Sequence, residues 1–210
     1  QGNRMSSETL LFDATFTEDG RRSVHPLVAR LAPDPAAVPV FQHYDMRKQF
    51  ETMRLVGERT DVPVPKTYWC EPEGGPIGAP FFVMERIEGI VPPDVPPYPF
   101  AGWILESSAE DLMTLQNSTV EVLAKLHEVR TDLELLESSA PGDTALRRHV
   151  ADLQSYYDWV VVQGDRRSPL IERAFGWLED NWPAQESEPA LSWGDSRVGN
   201  VMYRDYRPVA

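Results

Sequence analysis

The apolar positions in the first part of the chain predict a small antiparallel sheet with one helix. Residues 10–16 (LLFDATF) alternate between apolar and polar types, and the turn-forming EDGRR separates them from PLVARLA, so these segments predict a hairpin. Over residues 44–56 the apolar spacing becomes helical and stops near Gly57. Two further strand-like runs, KTYWCE and FFVMERI, lie on either side of a turn rich in glycine and proline. The predicted order is strand, strand, helix, strand, strand.

A proline-dense stretch, EGIVPPDVPPYPF, divides the chain, because so many prolines can continue neither a helix nor a central strand. We interpret it as the linker between a sheet-containing lobe, residues 1–88, and a helical lobe, residues 89–210. Beyond the linker the spacing predicts three amphipathic helices, and Ser168, Pro169 and Pro183 mark the cap, the first turn and the end of the third. The apolar stripes of these helices are expected to be core, and they consist of Leu112, Leu115, Thr119, Leu123 and Leu126, then Leu146, Val150, Leu153, Tyr157 and Val161, then Ile171, Ala174, Phe175, Leu178 and Trp182.

Composition is that of a soluble globular protein. The 210 residues are 41% apolar and 25% charged, which suffices for one or two domains with a sizeable core. The net charge of -13 argues against a nucleic-acid binder, since phosphate backbones attract clusters of lysine and arginine that this chain does not have. The acidic balance is compatible with a cationic small-molecule partner, although it is also common for any soluble surface.

Cysteine usage and the lengths of the apolar runs predict the compartment. Cys70 is the only cysteine, which excludes an intrachain disulfide and a thiolate metal cluster and favours a reducing setting. The longest apolar runs are far shorter than the ~20 residues that a membrane-spanning helix needs, and no leader pattern opens the chain. We therefore expect a cytoplasmic protein without a membrane partner.

One short loop carries the best candidate chemistry. The heptapeptide GDSRVGN contains Asp195, Arg197 and Asn200, whereas phosphate-loop, dinucleotide, serine-hydrolase and HExxH motifs do not occur and the histidines lack metal-ligand spacing. In phosphoryl transfer a carboxylate can accept the proton of the attacking hydroxyl, an amide oxygen can bind magnesium, and a guanidinium can reach the phosphate. The heptapeptide alone is equally compatible with a glycine-containing hairpin turn whose Asp and Arg are solvated.

The longer segment WGDSRVGNVMY resembles the catalytic loop of the aminoglycoside phosphotransferase and choline kinase group, which is related to protein kinases. Upstream segments resemble other elements of that group in the same order, and the resemblance covers nearly the whole chain. These segments are GNRMSSETLLFD, LVARLAP, TDVPVPKTY, FFVMERIEG and LAKLHEV. The resemblance implies an α+β, bilobal, protein-kinase-like fold that transfers the γ-phosphate of ATP, with Mg²⁺ as the second cofactor, to a hydroxyl group of a small molecule.

The same resemblance implies roles for individual residues. Asp195 corresponds to the catalytic base, Arg197 to a phosphate contact and Asn200 to a magnesium ligand. Arg30 corresponds to the basic strand residue that contacts the α- and β-phosphates. The remaining implied nucleotide contacts are Ser6 and Ser7 in the loop over the phosphates, Met84 as gatekeeper, the Glu85 carbonyl facing the adenine amino group, and the Ile87 amide facing a ring nitrogen.

Three features depart from the family pattern. Trp193 stands where the pattern has histidine, so the hydrogen bonds of that imidazole are expected to be lost or replaced by aromatic packing. Arg30 replaces the usual lysine and Gln49 its glutamate partner, which preserves a phosphate-binding charge but not the ion pair. The magnesium-binding aspartate of the family would lie beyond Ala210 and the first strand before Gln1, so we expect the chain to be incomplete at both ends.

Two other functions stay open. The changes at Trp193, Arg30 and Gln49 are compatible with a non-catalytic or regulatory nucleotide-binding protein on a kinase-like scaffold. A purely structural helical protein with a hairpin is a more remote alternative, and it would have no nucleotide affinity. The sequence also leaves the acceptor and the oligomeric state open, because a name taken from the fold is analogy.

Overall fold

The sheet and its hairpin form as the sequence predicts. A computed structural model describes residues 7–34, 40–130, 133–164 and 166–210, with Leu135 described only in its backbone. The strands are β1 (Glu8–Glu18), β2 (Arg21–Leu31), β3 (Thr67–Glu71) and β4 (Phe81–Glu85). They form one antiparallel sheet in the order β1-β2-β4-β3, and β1 pairs with β2 along the full length of both strands.

One face of the sheet carries the first part of the core. Leu27, Ala29 and Val83 are buried there, and the predicted apolar face of β1 packs against them through Phe12, Ala14 and Phe16. The alternation of a strand explains this arrangement, because every second side chain points to the same face.

Strand β4 is shorter than predicted. The run FFVMERI predicts a strand as far as Ile87, whereas β4 ends at Glu85. The Arg86 N–H still donates to the Pro26 carbonyl of β2 at 3.1 Å. Proline has no N–H to return that bond, so the ladder stops at this pair.

Helix α1 (Met46–Arg59) packs against the sheet, and it begins and ends about two residues later than predicted. The Asp45 side chain caps it by accepting a backbone N–H of the first turn at 2.8 Å. The helix continues two residues beyond Gly57 to Arg59, and the N–H and hydroxyl of the capping residue, Thr60, both donate to the Val56 carbonyl one turn earlier. A β-carbon at Gly57 would lie 3.3 Å from Cγ2 of Val64, so this glycine permits the close approach of the following loop.

The proline-dense segment lies along a strand near the end of the chain. Ile90 and Tyr203 exchange two backbone hydrogen bonds of 2.8 Å, which form an isolated antiparallel bridge. A β-carbon at Gly89 would meet the Met202 side chain and come within 2.9 Å of the Tyr203 carbonyl oxygen. Glycine is therefore required where the two backbones approach each other.

Helix α3 is the central helix of the second part of the chain. The helices there are α2 (Trp103–Glu106), α3 (Ala109–His127), α4 (Ala145–Val162) and α5 (Pro169–Asp180). The buried residues of α3 are Leu115, Ser118, Thr119, Val122 and Leu126, which overlap the predicted stripe. None of the helices in the described ranges combines the length and the apolarity needed to cross a membrane.

Helices α4 and α5 form where predicted, but the expectation that their apolar stripes are core is wrong. Neither helix has a buried side chain, and Leu153 is 47% and Ile171 is 41% exposed. The described residues therefore cover these two faces only partly. Ser168 occupies the cap position of α5 without a side-chain capping bond, and its backbone N–H donates instead to the Tyr157 hydroxyl at 2.7 Å.

A two-stranded hairpin, β5 (Tyr203–Arg204) and β6 (Arg207–Pro208), packs against α3. Tyr203 is fully buried, and its hydroxyl lies 3.0 Å from the hydroxyl of Thr119. Burial raises the pKa of Tyr203, and the hydrogen bond with Thr119 opposes that shift. This buried pair of hydroxyl groups fixes the hairpin, and with it the end of the preceding loop, to α3.

Candidate active site

The GDSRVGN loop turns twice, so that its two ends meet. Gly194 adopts a φ of 78°, a conformation that favours glycine, and its carbonyl accepts the Ser196 N–H at 2.9 Å. A single 3₁₀ turn, Val198–Asn200, follows, and the Asn200 N–H donates to the Arg197 carbonyl at 2.9 Å. The two turns bring the Asn200 side chain back to Asp195.

Asp195 and Asn200 make the central contact of the loop. Nδ2 of Asn200 donates to Oδ2 of the Asp195 carboxylate and to the Asp195 carbonyl, both at 2.9 Å. Nε of Arg197 lies 3.6 Å from the same carboxylate oxygen. The Asp195 side chain is 73% exposed and is thus accessible to a hydroxyl group arriving from solvent. The three residues predicted for a catalytic loop are therefore neighbours.

Arg197 has a second partner that the sequence did not indicate. Its two terminal nitrogens donate to the two carboxylate oxygens of Asp94, at 2.6 and 3.1 Å. The hydrogen bond from Arg197 lowers the pKa of the Asp94 carboxyl, and the same bond raises the pKa of Arg197. At neutral pH the two groups therefore form a charged, bidentate pair between the proline-dense segment and the loop.

Trp193 is held by packing on two sides. It packs against the buried cluster that contains Val122 and Leu126, and also against the cluster that contains Leu115 and Tyr203. The indole therefore occupies apolar space next to the loop, as expected if aromatic packing replaces the hydrogen bonds of a histidine.

Arg30 and Asn200 line one cavity of about 340 Å³. The cavity also contacts Trp193 and residues of α1, whereas Asp195 and Arg197 are not among its lining residues. Arg30 lies opposite Phe82 in the β2-β4 ladder. Gln49 lies in the first turn of α1, the helix that packs on this sheet. A basic strand residue and the loop amide thus share a cavity.

Two of the predicted hinge residues, Glu85 and Ile87, border a separate cleft of about 370 Å³, which is lined by residues 85–88 with Pro26, Arg204 and Val209. Met84 lies opposite Val28 in the sheet, and the Glu85 N–H donates to the Lys66 carbonyl at 2.8 Å. Ile87 follows the end of β4. Ser7 is buried, and Ser6 lies outside the described residues.

A larger cleft lies away from these residues. Its volume is about 680 Å³, and it is lined by the C-terminal ends of α1 and α3, including Asp61 and Lys125, which form an ion pair of 2.8 Å. It contains no residue of the predicted site. Within the described parts of the chain, no group of three or more His, Cys, Asp or Glu side chains could hold a metal ion.

Sequence reasoning missed two residues of the site, Asp94 and Gly199. Asp94 is an acidic residue within a run of prolines. Its acidic side chain is the signal that could have identified it as a residue of the site. A β-carbon at Gly199 would collide with a terminal nitrogen of Arg197 and lie 3.1 Å from Oδ1 of Asp94. Gly199 therefore lies within a turn and also leaves space for the ion pair.

The order of the strands, the single helix against the sheet and the loop that follows the helical region define a protein-kinase-like phosphotransferase fold. A crystal structure of a protein from Ralstonia eutropha, assigned as an aminoglycoside phosphotransferase, matches it with a TM-score of 0.59. The match covers 96% of this chain and 57% of that protein, at 21% sequence identity. The α+β, bilobal, kinase-like fold expected from the sequence is confirmed.

The chain belongs to the phosphotransferase enzyme family (APH), whose family model matches residues 8–210. Among curated relatives, "Probable acyl-CoA dehydrogenase IBR3" of Arabidopsis thaliana is 28% identical over 162 residues, which are 74% of this chain and 19% of that protein. "Acyl-CoA dehydrogenase family member 11" of Homo sapiens is 28% identical over 176 residues, 84% of this chain and 21% of that protein. The chain thus spans about a fifth of the length of these relatives.

Proposed function

We propose that the chain contains the catalytic loop and nucleotide site of a kinase that uses ATP and Mg²⁺ to phosphorylate a hydroxyl group of a small molecule. Asp195 is the base, Asn200 a magnesium ligand and Arg197 a phosphate contact. Membership of a phosphotransferase family supports the reaction class. We place the proposed reaction in the cytoplasm, where ATP is available.

The observation that carries the proposal is the contact between Asn200 and Asp195. Because Nδ2 of Asn200 donates to the carboxylate at 2.9 Å, that amide fixes the orientation of Asp195. The exposed carboxylate can then accept the proton of an acceptor hydroxyl while the hydroxyl oxygen attacks the γ-phosphorus and ADP leaves. Positioning of this kind supplies most of the catalysis in phosphoryl transfer.

The loop also fits a magnesium ion in its donor chemistry. With Nδ2 directed at Asp195, Oδ1 of Asn200 is the amide atom that can bind a hard cation. Mg²⁺ in nucleotide sites takes few protein oxygens, completes its shell with phosphates and water, and offsets the charge of the phosphates when bound. Asn200 would therefore hold one position of the metal, and Arg197 would supply a further positive charge nearby.

The nucleotide contacts extend to the sheet. Arg30 would contact the α- and β-phosphates, since it shares a cavity with Asn200. The Glu85 carbonyl and the Ile87 amide would face the adenine ring, with Met84 as gatekeeper, because these residues form or adjoin the cleft at the end of β4. Ser6 and Ser7 would cover the phosphates.

The acceptor is to be identified by assaying phosphorylation of a set of alcohols. The structural neighbour is assigned as an aminoglycoside phosphotransferase, and the curated relatives are named as acyl-CoA dehydrogenases. An aminoglycoside, choline, a sugar and a hydroxyacyl thioester therefore belong in the set. The dehydrogenase name describes chains about five times as long as the matched segment.

Turnover of ATP by wild type and Asp195→Ala tests the proposal. We expect Mg²⁺-dependent turnover with at least one acceptor and a loss of about 100- to 10,000-fold in kcat in the variant. Asp205→Ala removes a nearby aspartate from the β5-β6 turn and serves as the matched control, with activity retained. Full activity in Asp195→Ala would contradict the role of the base. ATP binding that is independent of Mg²⁺, without turnover of any acceptor, would favour a regulatory nucleotide-binding protein.

A further inference from the structure

We infer that Asp94 is a positioning residue for phosphoryl transfer and acts through Arg197. The inference rests on the proposed function and extends it to the proline-dense segment. Asp94 itself lies 103 positions from Arg197 in sequence, yet its carboxylate accepts from both terminal nitrogens of the guanidinium. Bidentate pairing sets the plane of a guanidinium as well as its position.

The pairing with Asp94 prevents Arg197 from making a bidentate contact with the Asp195 carboxylate. Arg197 lies only two residues from Asp195, with Nε 3.6 Å from the carboxylate. In the absence of Asp94, the same guanidinium could turn and make its bidentate contact with Asp195. A base carboxylate capped in this way would be less able to accept a proton. Asp94 therefore keeps Asp195 accessible by holding the terminal nitrogens of Arg197 on the other side.

Arg197 has enough N–H donors to bind Asp94 and a phosphate group at the same time. A guanidinium has five N–H donors, and the pair with Asp94 uses two of them. The remaining donors on the terminal nitrogens keep a fixed direction for as long as Asp94 holds the plane. A phosphate contact made by these donors would therefore be pre-oriented before the substrate binds.

Gly199 provides an independent observation. Its φ lies outside the left-handed region, so the backbone conformation does not require glycine. The space is nevertheless occupied, because a β-carbon there would meet a terminal nitrogen of Arg197 and come 3.1 Å from Oδ1 of Asp94, so these side chains would have to move. The smallest residue thus stands where any side chain would force the ion pair to shift.

The Asp94 backbone is also held in place. Asp94 and Pro97 form an isolated bridge, and four residues before Asp94 the segment is bound to Tyr203 through Ile90. Because the backbone of Asp94 is fixed, its carboxylate can hold the Arg197 guanidinium in one position. An aspartate on an unrestrained loop would instead move with the arginine.

The experiment compares Asp94→Ala, Asp94→Glu and Gly199→Ala with Asp61→Asn. Asp61 is an exposed aspartate in a cross-element ion pair with Lys125, outside the site, and is the matched control. We expect kcat to fall by about 10- to 100-fold in Asp94→Ala and Gly199→Ala, because misplaced groups lose preorganisation. The KM for ATP should change little, and Asp94→Glu should recover part of the loss. Asp61→Asn should match wild type.

Amide hydrogen exchange of the Ser196, Asn200 and Val201 N–H groups gives a readout that needs no acceptor. We expect faster exchange of these amides in Asp94→Ala and Gly199→Ala, and wild-type exchange in Asp61→Asn. Unchanged exchange in both site variants would overturn the inference, as would faster exchange with unchanged kcat. If the wild type is active and Asp94→Ala keeps its kcat, the inference alone is wrong. If the wild type phosphorylates no acceptor, the proposed function fails and the catalytic role of Asp94 fails with it.

Discussion

Trp193 shows how one residue can support the site without polar contacts. It lies directly before the loop glycine and packs against two buried clusters, so it ties the start of the loop to α3 by apolar contacts. A histidine at this position would orient its neighbours through hydrogen bonds, whereas an indole does so through volume and close packing.

Replacement of Trp193 by alanine should therefore destabilise the protein. We expect a loss of about 3 kcal/mol in the free energy of unfolding, because a large aromatic side chain leaves a cavity between two clusters. Denaturant unfolding measures it. Trp177, which is 62% exposed on α5, is the matched control, and Trp177→Ala should cost less than about 1 kcal/mol. Equal losses in the two variants would contradict the packing role of Trp193.

Among the elements, the hairpin of β5 and β6 has the most specific anchor. The hydroxyl of Thr119 donates to the Leu115 carbonyl at 2.7 Å and lies 3.0 Å from the hydroxyl of Tyr203. Tyr203 has no exposed surface, so its hydroxyl depends on this partner. The hairpin that follows the GDSRVGN loop is therefore held to α3 by a buried polar contact within an apolar cluster.

A double-mutant cycle on Thr119 and Tyr203 tests this anchor. Thr119→Val should cost about 1–3 kcal/mol of unfolding free energy, since it strands a buried hydroxyl, and Tyr203→Phe about 1 kcal/mol. The double variant should lose less than the sum, because the same contact is removed twice. Thr114→Val, on the same helix, is the control and should stay within about 0.5 kcal/mol. Strict additivity in the cycle would show that the two hydroxyl groups are not coupled.

The helices themselves differ in how much of their apolar face is covered. Leu126 on α3 is buried, whereas Leu153 on α4 is 47% exposed. We expect Leu126→Ala to cost about 2–5 kcal/mol in unfolding free energy and Leu153→Ala less than about 1 kcal/mol. Chemical denaturation of the two variants measures the difference. A comparable loss at Leu153 would mean that its face is covered in solution.

Charge acts at the scale of the whole molecule. The chain has a net charge of -13, and ion pairs place some of its carboxylates beside positive groups. Hydrogen bonds from Lys66, Lys125 and Arg197 lower the pKa of Glu18, Asp61 and Asp94, respectively. A carboxyl whose pKa is lower in the folded state adds stability above its unfolded pKa and loses that contribution as the pH falls.

The stability of wild type relative to a Glu18→Gln, Asp61→Asn, Asp94→Asn triple variant should therefore depend on pH. At pH 7 wild type should melt at a slightly higher temperature, since exposed pairs contribute little each. That advantage should decrease as the pH falls below about 4, where the unfolded carboxyls are protonated, and disappear once the folded ones are protonated as well. Thermal melts of both proteins across this range measure it, and a difference that stays constant with pH would contradict the assignment to these carboxyls.

Much of this molecule follows from local rules. Alternation predicts β1 and β2, helical spacing predicts α3, and the short spacing of Asp195 and Asn200 lets two consecutive turns bring them together. Local rules were less successful at boundaries. The end of β4 depends on a proline in the neighbouring strand, and Gly57 serves a contact with Val64 from outside the helix.

The spacing of apolar residues predicted the strands and helices, and the resemblance of ordered motifs to a known family predicted the fold class, the family and the candidate loop residues, because periodicity and short motifs are encoded within a few residues. Only the tertiary structure determined which apolar stripes are buried and which partner Arg197 takes. Burial depends on what the rest of the chain places over a face. The pairing of Arg197 with Asp94 joins residues 103 positions apart, and it depends on where the proline-dense segment crosses the loop.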